Sequence, residues 1–313
     1  CDAMMDDFTD VRSKEKTFFK QWNRIVRAQA IRSDSLLKDI LDKFVRAKAK
    51  NDLADGAGQK VAFSLRTLSR AMVYVKLICP HYGFQRSLFE GLSMSFATQL
   101  DEESAAVVYD AIHRCCGLTS GQKLTKPPCP GTPDDFEDVE DFWLAIGPHA
   151  EELRSAVNVE TYILTKGRRK LLRMLARVVA ARKFPVLLQG PTSSGKTSVV
   201  TYLAARTGHK CLRINNHEHT DIQEYLGSYM ANEEGRLVFQ EGPLVEAVRN
   251  GYWVILDELN LAPSEVLEAL NRLLDDNREL FIPETQETIR PHPHFLLFAT
   301  QNPAGIYGGR KVL

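Results

Sequence analysis

Short apolar runs alternate with polar, helix-like stretches in the second half of the chain. Three of them, Phe184–Leu188, Tyr252–Leu256 and Phe295–Thr300, are five or six residues long. Continuous apolar runs of this length, bounded by turn residues, are typical of strands that are buried on both faces. A helical pattern starts at Ser198, after the first run. This half of the chain therefore predicts an α/β core with a parallel sheet flanked by helices.

The first half of the chain has a different pattern, with apolar residues at three- and four-residue spacing. This spacing predicts amphipathic helices, and Lys and Arg are frequent on their outer faces. The helix candidates are Thr17–Val45, Val61–Leu77, Arg86–Gln99 and Ser104–Arg114.

A change in composition separates the two halves. Gly117–Pro133 is rich in Gly, Pro and Lys, and Asp134–Asp141 is an acidic run. Both features are typical of connecting segments, so this stretch is interpreted as a linker.

A glycine-rich loop follows the first apolar run and precedes a helix. In such a loop the glycines allow a tight turn, so that backbone N–H groups and the helix N-terminus converge on the β- and γ-phosphates of a nucleotide. Lys196 adds a positive charge, and the Thr197 hydroxyl can ligate Mg²⁺. The alternative is a surface loop that matches by chance. The predicted nucleotide-binding residues here are Gly190, Pro191, Thr192, Ser193, Ser194, Gly195, Lys196, Thr197 and Ser198.

Two acidic residues end the second apolar run. Asp257 is expected at the carboxyl tip of its strand, beside the phosphate loop, where its carboxylate can hold Mg²⁺, partly through water. Glu258 is expected to orient or deprotonate the attacking water. The alternative is an ordinary strand exit with solvated carboxylates.

An asparagine follows the third apolar run. In a parallel sheet, Asn302 would reach the same crevice and could hydrogen-bond the γ-phosphate or the water. Pro303 then prevents the strand from continuing. Alone this is weak support, since Asn-Pro is a common turn start. Lys196, Glu258 and Asn302 are the predicted catalytic residues.

This order of strand, phosphate loop, acidic strand and Asn-tipped strand resembles the AAA+ ATPases. The details resemble the ATPase modules of the midasin family, dynein-related AAA+ proteins of ribosome assembly, and the likeness is strongest from Thr161 onward. It also accounts for two β-hairpin insertions, around Gly227–Glu241 and Glu279–His294. The segments that carry the resemblance are Asn215–Gly227, Phe239–Leu244, Leu256–Pro263, Leu273–Leu280, Ile282–Gln286, Ala299–Pro303 and Tyr307–Arg310.

The resemblance implies a domain organisation. Residues 1–116 would form the helical lid of a preceding AAA+ module, 117–157 a linker, and 158–313 a large α/β core whose own lid lies beyond the chain. Arg66 would be the lid arginine that contacts the nucleotide of the preceding module, with Arg70 one turn away. From spacing alone, the favoured interpretation of both arginines is that they are solvated helix charges. The chain is accordingly expected to be a fragment.

The charge balance excludes a strong global attraction to nucleic acid, because 40 basic and 40 acidic residues give a formal net charge of zero. The basic segment Lys166–Lys183 could contact RNA, but a helix packed on the core with solvated charges is the favoured interpretation. The six cysteines lack zinc-site spacing, and His217 and His219 lack a third ligand. No stretch approaches the roughly 20 apolar residues of a membrane helix.

The expected function follows from these residues and the resemblance together. It is an ATP-hydrolysing motor module, using ATP and Mg²⁺, in a pseudo-hexameric ring of modules of one chain. By resemblance it would remodel pre-60S ribosomal particles and release assembly factors in the nucleus, during maturation and nuclear export of the large subunit. Two alternatives remain open: a non-catalytic nucleotide-binding module of the same ring, and a MoxR-like AAA+ chaperone. A nucleic-acid translocase would predict a basic channel and salt-dependent RNA binding.

Overall fold

The structure is a computed structural model that describes residues 53–55, 61, 63–118, 124–156, 162–275 and 278–303. The predicted helix Thr17–Val45 lies outside these residues. The chain divides into two compact units, Cys1–Pro128 and Cys129–Leu313. Each unit has a hydrophobic core of its own.

The described part of the first unit is helical, as predicted. Its helices are α1 (Leu65–Tyr82), α2 (Phe84–Phe96) and α3 (Glu102–Cys115). The Ser64 side chain caps α1 and the Asp101 side chain caps α3, each accepting a backbone N–H of the first turn. At Gly91 of α2, an added Cβ would lie 2.7 Å from Val75 Cγ2. The small residue therefore allows α1 and α2 to pack closely.

The second unit is built around a parallel sheet, with helices and three hairpins added to it. Its elements are β1 (Phe136–Val139), β2 (Phe142–Ala145), α4 (Ala150–Ala156), α5 (Lys166–Ala181), β3 (Val186–Gln189), α6 (Lys196–Arg206), β4 (Cys211–Asn215), α7 (Gln223–Leu226), β5 (Gly227–Ala231), β6 (Leu237–Glu241), α8 (Pro243–Asn250), β7 (Trp253–Asp257), α9 (Ser264–Leu274), β8 (Leu280–Ile282), β9 (Glu287–Ile289) and β10 (Leu296–Gln301). Short 3₁₀ turns cover Pro133–Asp135 and Leu259–Leu261.

The main sheet has the order β3–β10–β7–β4, and all of its strand pairs are parallel. The two inner strands, β7 and β10, are buried along almost their whole length, whereas the outer strands β3 and β4 are partly exposed. This burial explains why β7 and β10 are continuous apolar runs. The α/β fold with a parallel sheet is thus confirmed.

The helix over the basic segment packs on the core through one face. Leu172, Leu175 and Val179 of α5 are at most 5% exposed. Arg177 is buried as well, although the sequence pattern placed the charges of this helix in water.

No helix of the described ranges is both long enough and apolar enough to cross a lipid bilayer.

The structure differs from the linker interpretation over residues 133–156. This stretch contains the antiparallel hairpin β1–β2 and the helix α4. Val139, Phe142 and Leu144 are buried, and Arg206 of α6 donates to Glu137 Oε1 at 3.0 Å and to the Asp138 carbonyl. The acidic run therefore belongs to the second compact unit, where its charges are partly neutralised.

Both predicted hairpin insertions are present, but they differ in burial. In β8–β9, the side chains of Leu280, Ile282 and Ile289 enter the core of the second unit. In β5–β6, Leu237 is 73% exposed and Val238 is 51% exposed. The β5–β6 hairpin therefore projects at its tip, with the Tyr229 hydroxyl donating to the Glu284 carbonyl at 3.3 Å, whereas the β8–β9 hairpin is part of the packed body.

The base of the projecting hairpin is held by a close backbone crossing. A Cβ added to Gly227, whose φ is 105°, would lie 2.0 Å from the Gln240 carbonyl oxygen. A Cβ added to Gly242 would lie 2.4 Å from the Tyr225 carbonyl oxygen. No side chain larger than hydrogen fits at either position.

Gly227→Ala is expected to destabilise the second unit by more than about 2 kcal/mol, because the new methyl group meets backbone atoms that cannot move separately. Gly235→Ala is the matched control, since Gly235 also has a positive φ, of 74°, but has open space around its Cβ position. Gly235→Ala should lower the free energy of unfolding by only about 1 kcal/mol. Urea unfolding of both variants measures the difference, and equal midpoints would contradict the steric argument.

Candidate nucleotide site

The phosphate loop connects β3 to α6 at the carboxyl edge of the main sheet. Gly195 has φ 84° and lies directly before α6, which begins at Lys196. Ser193 also has a positive φ, of 60°. The Gly190 N–H donates to the Gln301 carbonyl of β10 at 3.3 Å, and this hydrogen bond ties the start of the loop to the neighbouring strand. These turns direct the first N–H groups of α6 toward the loop, as a phosphate site requires.

The Lys196 ammonium group lies inside the loop. Its Nζ donates to the carbonyl oxygens of Gly190 at 2.9 Å and of Pro191 at 2.8 Å, and to Asn302 Oδ1 at 3.0 Å. These acceptors hold a positive charge at the position where the sequence pattern predicts terminal phosphates.

Asp257 ends β7 next to the phosphate loop. Its carboxylate accepts the Thr197 hydroxyl, with both oxygens 3.3 Å from Oγ1. It also accepts the Thr300 hydroxyl on Oδ1 and the Arg213 guanidinium on Oδ2. Asn216 Nδ2 donates to the Asp257 carbonyl at 2.8 Å and fixes the strand end. The carboxylate thus accepts hydrogen bonds from two strands, β4 and β10, and from the helix α6.

These donors keep Asp257 ionised. Burial, the largest single influence, opposes the charge and would raise the pKa. The hydrogen bonds from Thr300, Arg213 and Thr197, together with the charge of Arg213, outweigh burial and hold the pKa of Asp257 below its ordinary value. Near neutral pH the group is a carboxylate, the form that binds a divalent cation.

Glu258 and Asn302 form a pair at the tips of adjacent strands. Asn302 Nδ2 donates to Glu258 Oε1 at 3.0 Å, and Asn302 is only 3% exposed. Glu258 has φ 52°, an uncommon conformation for a side chain of this size, and its N–H donates to Thr300 Oγ1 at 3.1 Å. One amide side chain therefore connects Lys196 to Glu258.

The donor set fits a nucleotide with Mg²⁺. The Thr197 hydroxyl and the Asp257 carboxylate are adjacent hard oxygen ligands, which Mg²⁺ prefers. The Lys196 ammonium group and the N-terminus of α6 supply positive charge for phosphate oxygens.

Two arginines near the loop were not found from the sequence. Arg213 donates to Asp257 as described, and Arg168 Nε lies 3.3 Å from the Cβ position of Gly195. Arg168 also covers the ring of Tyr162, which stacks on Tyr202 with ring centroids 4.3 Å apart. The signal for Arg213 was weak, a charged residue within a strand ahead of a polar loop. Arg168 was one of several charges in the basic segment.

Two family profiles match the chain. The profile described as midasin AAA lid domain matches residues 23–118, and that described as AAA domain (dynein-related subfamily) matches residues 185–313. A midasin of Dictyostelium discoideum is 56% identical over 291 residues, 88% of this chain and 5% of that protein. The chain belongs to the midasin family of AAA+ proteins.

Two further relatives also match the chain. A midasin of Giardia intestinalis is 41% identical over 329 aligned positions, which cover 99% of this chain and 7% of that protein. Protein NorQ of Paracoccus denitrificans is 40% identical over 124 residues, 40% of this chain and 46% of that protein. The chain thus spans only a small part of the length of the midasins it matches.

Of the remaining predicted residues of this midasin-family chain, Ser198 contacts the loop, whereas the lid arginines belong to the first unit. Ser198, in the first turn of α6, donates to the Gly195 carbonyl at 3.0 Å. Arg66 and Arg70 are exposed on α1 of the first unit. The role of Arg66 toward a preceding module stays a prediction. Among the described residues, no three or more His, Cys, Asp or Glu side chains are grouped so that they could hold a metal ion. His217 and His219 are therefore not part of such a group.

Proposed function

We propose that the second unit is an ATP-hydrolysing AAA+ module. The observation that supports this most is the hydrogen-bonded series Lys196–Asn302–Glu258, which lies beside the Thr197–Asp257 pair. In this series the Asn302 side chain contacts both the phosphate-binding cation, Lys196, and the candidate base, Glu258. A site that only binds nucleotide has no need of an acid at the position of Glu258.

In this proposal each residue has a distinct task. The loop residues and Lys196 bind and orient the β- and γ-phosphates. Glu258 orients the attacking water and accepts its proton, while Asn302 holds the Glu258 carboxylate in place. Thr197 and Asp257 would hold Mg²⁺, which neutralises charge on the phosphates when bound.

The wider role is proposed from family membership. As part of a midasin, the module would act beside neighbouring AAA+ modules of the same chain in a pseudo-hexameric ring. The whole protein would remodel pre-60S ribosomal particles in the nucleus and release assembly factors. Arg66 would serve the nucleotide of the module that precedes this core. The exposed β5–β6 hairpin would transmit nucleotide-driven movement to a partner.

Nucleotide titrations of the purified chain test the binding part of the proposal. A fluorescent ADP with Mg²⁺ should bind with one-to-one stoichiometry, and unlabelled ATP and ADP should displace it. AMP should not, because the loop encloses the β-phosphate and AMP has none. Displacement by AMP as effective as by ADP would contradict the assignment of the loop. Binding of RNA that weakens steeply with salt would instead favour a nucleic-acid translocase.

Turnover by the purified chain should be slow. In related phosphoryl-transfer enzymes an arginine supplied from outside the site contributes about 10³–10⁵ in rate. In the proposed ring that arginine comes from an adjacent module. Fast ATP hydrolysis by monomeric chains would contradict the ring model of the site.

A further inference from the structure

Arg213 is a second cation in the proposed nucleotide site, and the residue tasks above leave it without a role. It lies on the outer strand β4, opposite Ile255 of β7, so its side chain must reach two residues along β7 to contact Asp257. It does so, and its Nη2 donates to Asp257 Oδ2. The contact joins an outer strand to the carboxylate that would hold Mg²⁺.

The three side chains that donate to the Asp257 carboxylate differ in how easily they can leave it. Thr300 is 1% exposed and is fixed within β10. Thr197 is fixed in the first turn of α6. The Arg213 side chain is 55% exposed, while the Asp257 side chain is 11% exposed. Arg213 is therefore the donor that can move into solvent at the lowest cost.

The charges around the carboxylate give this contact a consequence. A divalent cation near Asp257 would meet the guanidinium charge at close range, and the two cations would compete for Oδ2. Before the metal arrives, the same guanidinium adds a second positive charge to the site that contains Lys196, which favours a polyanionic ligand.

We propose that Arg213 is a positioning residue that takes the place of Mg²⁺ at Asp257 and is displaced when the metal binds. It acts through Asp257, and so it sets how strongly nucleotide affinity depends on Mg²⁺. This inference rests on the proposed function, because it requires that the loop binds a nucleoside di- or triphosphate.

The test compares nucleotide affinity with and without the metal. The purified chain is titrated with fluorescent ADP in excess EDTA and again in excess MgCl₂. The readout is the Kd in EDTA divided by the Kd in MgCl₂. In Arg213→Met this ratio should rise by about fivefold or more, a coupling at the low end of the usual range. Binding in EDTA weakens as a cation is lost, and binding with Mg²⁺ strengthens as competition is removed.

Three further variants separate this role from general damage. Arg236→Met removes an exposed arginine at the tip of the β5–β6 hairpin and should leave the ratio unchanged. Arg213→Lys keeps the charge and should restore most of the wild-type ratio. In an Asp257→Asn background, Arg213→Met should no longer change the ratio, since the proposed partner is gone.

The outcomes are distinct. An unchanged ratio in Arg213→Met, with nucleotide still bound, overturns the role of Arg213 and leaves the nucleotide site standing. Equal weakening with and without Mg²⁺ also overturns it, because a structural defect acts alike in both conditions. Should the wild-type chain bind no nucleotide in either condition, the proposed function fails and this inference fails with it. If Arg213→Met does not fold, Arg213→Gln, which also removes the charge, is compared with the wild-type chain in the same two titrations.

Discussion

Glu258→Gln is expected to leave ATP bound and to stop its hydrolysis, whereas Lys196→Ala is expected to release the nucleotide. Lys196 contacts acceptors that phosphate oxygens would replace, so its loss should weaken binding by about 10- to 100-fold. Glu258 is separated from Lys196 by the Asn302 side chain, which hydrogen-bonds to both. At that position Glu258 would act on water rather than on phosphate. Loss of a general base typically costs about 10²–10⁴ in rate.

The measurement needs both affinity and turnover. Single-turnover hydrolysis is followed in a preparation that contains the neighbouring modules, and nucleotide affinity is measured on the same samples. Glu265→Gln is the matched control, because Glu265 is an exposed acid in the first turn of α9. Glu258→Gln hydrolysing ATP at the wild-type rate would show that Glu258 is not the base, or that this site is silent and other modules supply the turnover.

Acidification from pH 6.5 to pH 4 is expected to cost the second unit about 3 kcal/mol of stability through His209 alone. His209 is 6% exposed and stacks on Trp253, and Nε2 lies 3.2 Å from the Ala145 carbonyl. Burial, reinforced by the charges of His294, Arg182 and His149, lowers its pKa to about 4, against the opposing hydrogen bond to Ala145.

The sign follows from proton binding. Below pH 6.5 the unfolded chain protonates this histidine while the folded chain does not, so protons favour unfolding until the pH reaches about 4. His294, whose pKa is also lowered by burial, acts in the same direction. The lowered pKa of Asp257 also makes acid destabilising, but this contribution is lost only at more acidic pH, below the ordinary carboxyl range.

Urea unfolding at several pH values checks this expectation. The pH dependence between 6.5 and 4 should become shallower in His209→Gln, whatever that change does to stability at pH 7.5. His219→Gln serves as the control, since His219 is exposed in the loop after β4. A pH dependence in His209→Gln as steep as that of the wild type would assign the acid sensitivity to other groups.

The central part of the fold could be predicted because its strands are buried on both faces. Burial forces β7 and β10 to be apolar throughout, and their polar tips then stand out. The same reasoning brought Asp257, Glu258 and Asn302 to one edge of the sheet, where the structure places them within hydrogen-bonding distance of the loop residues or of each other. Their chemical roles remain predictions.

The β1–β2 hairpin escaped prediction for a local reason. Its strands have four residues each, and its turn is formed by Glu140 and Asp141, both with positive φ. Such turns usually contain Asn or Gly, so Glu-Asp gives no turn signal. The composition of the acidic run predicted a solvent-exposed linker. Instead, contacts with Arg206 hold this run against the second unit.

The end of α1 shows another limit. The spacing predicted a helix that ends at Leu77, before Pro80, yet α1 continues to Tyr82. Pro80 has no backbone N–H, so it costs α1 one hydrogen bond, and the helix ends two residues after it. Arg213 was missed because a single charge on a strand carries no periodic signal, and Arg168 because it is one of several neighbouring charges on its helix.

The glycine crossing at the base of the β5–β6 hairpin would allow this hairpin to act as a lever. Gly242 N–H donates to the Leu226 carbonyl at 2.9 Å, so the backbone between α7 and α8 is joined without intervening side chains. Each arm has five residues and extends about 17 Å from this joint. A rotation of α7 and α8 by about 10° would therefore displace the exposed tip by about 3 Å. A movement too small to disturb the core would then be large enough to make or break a contact with a partner at the surface.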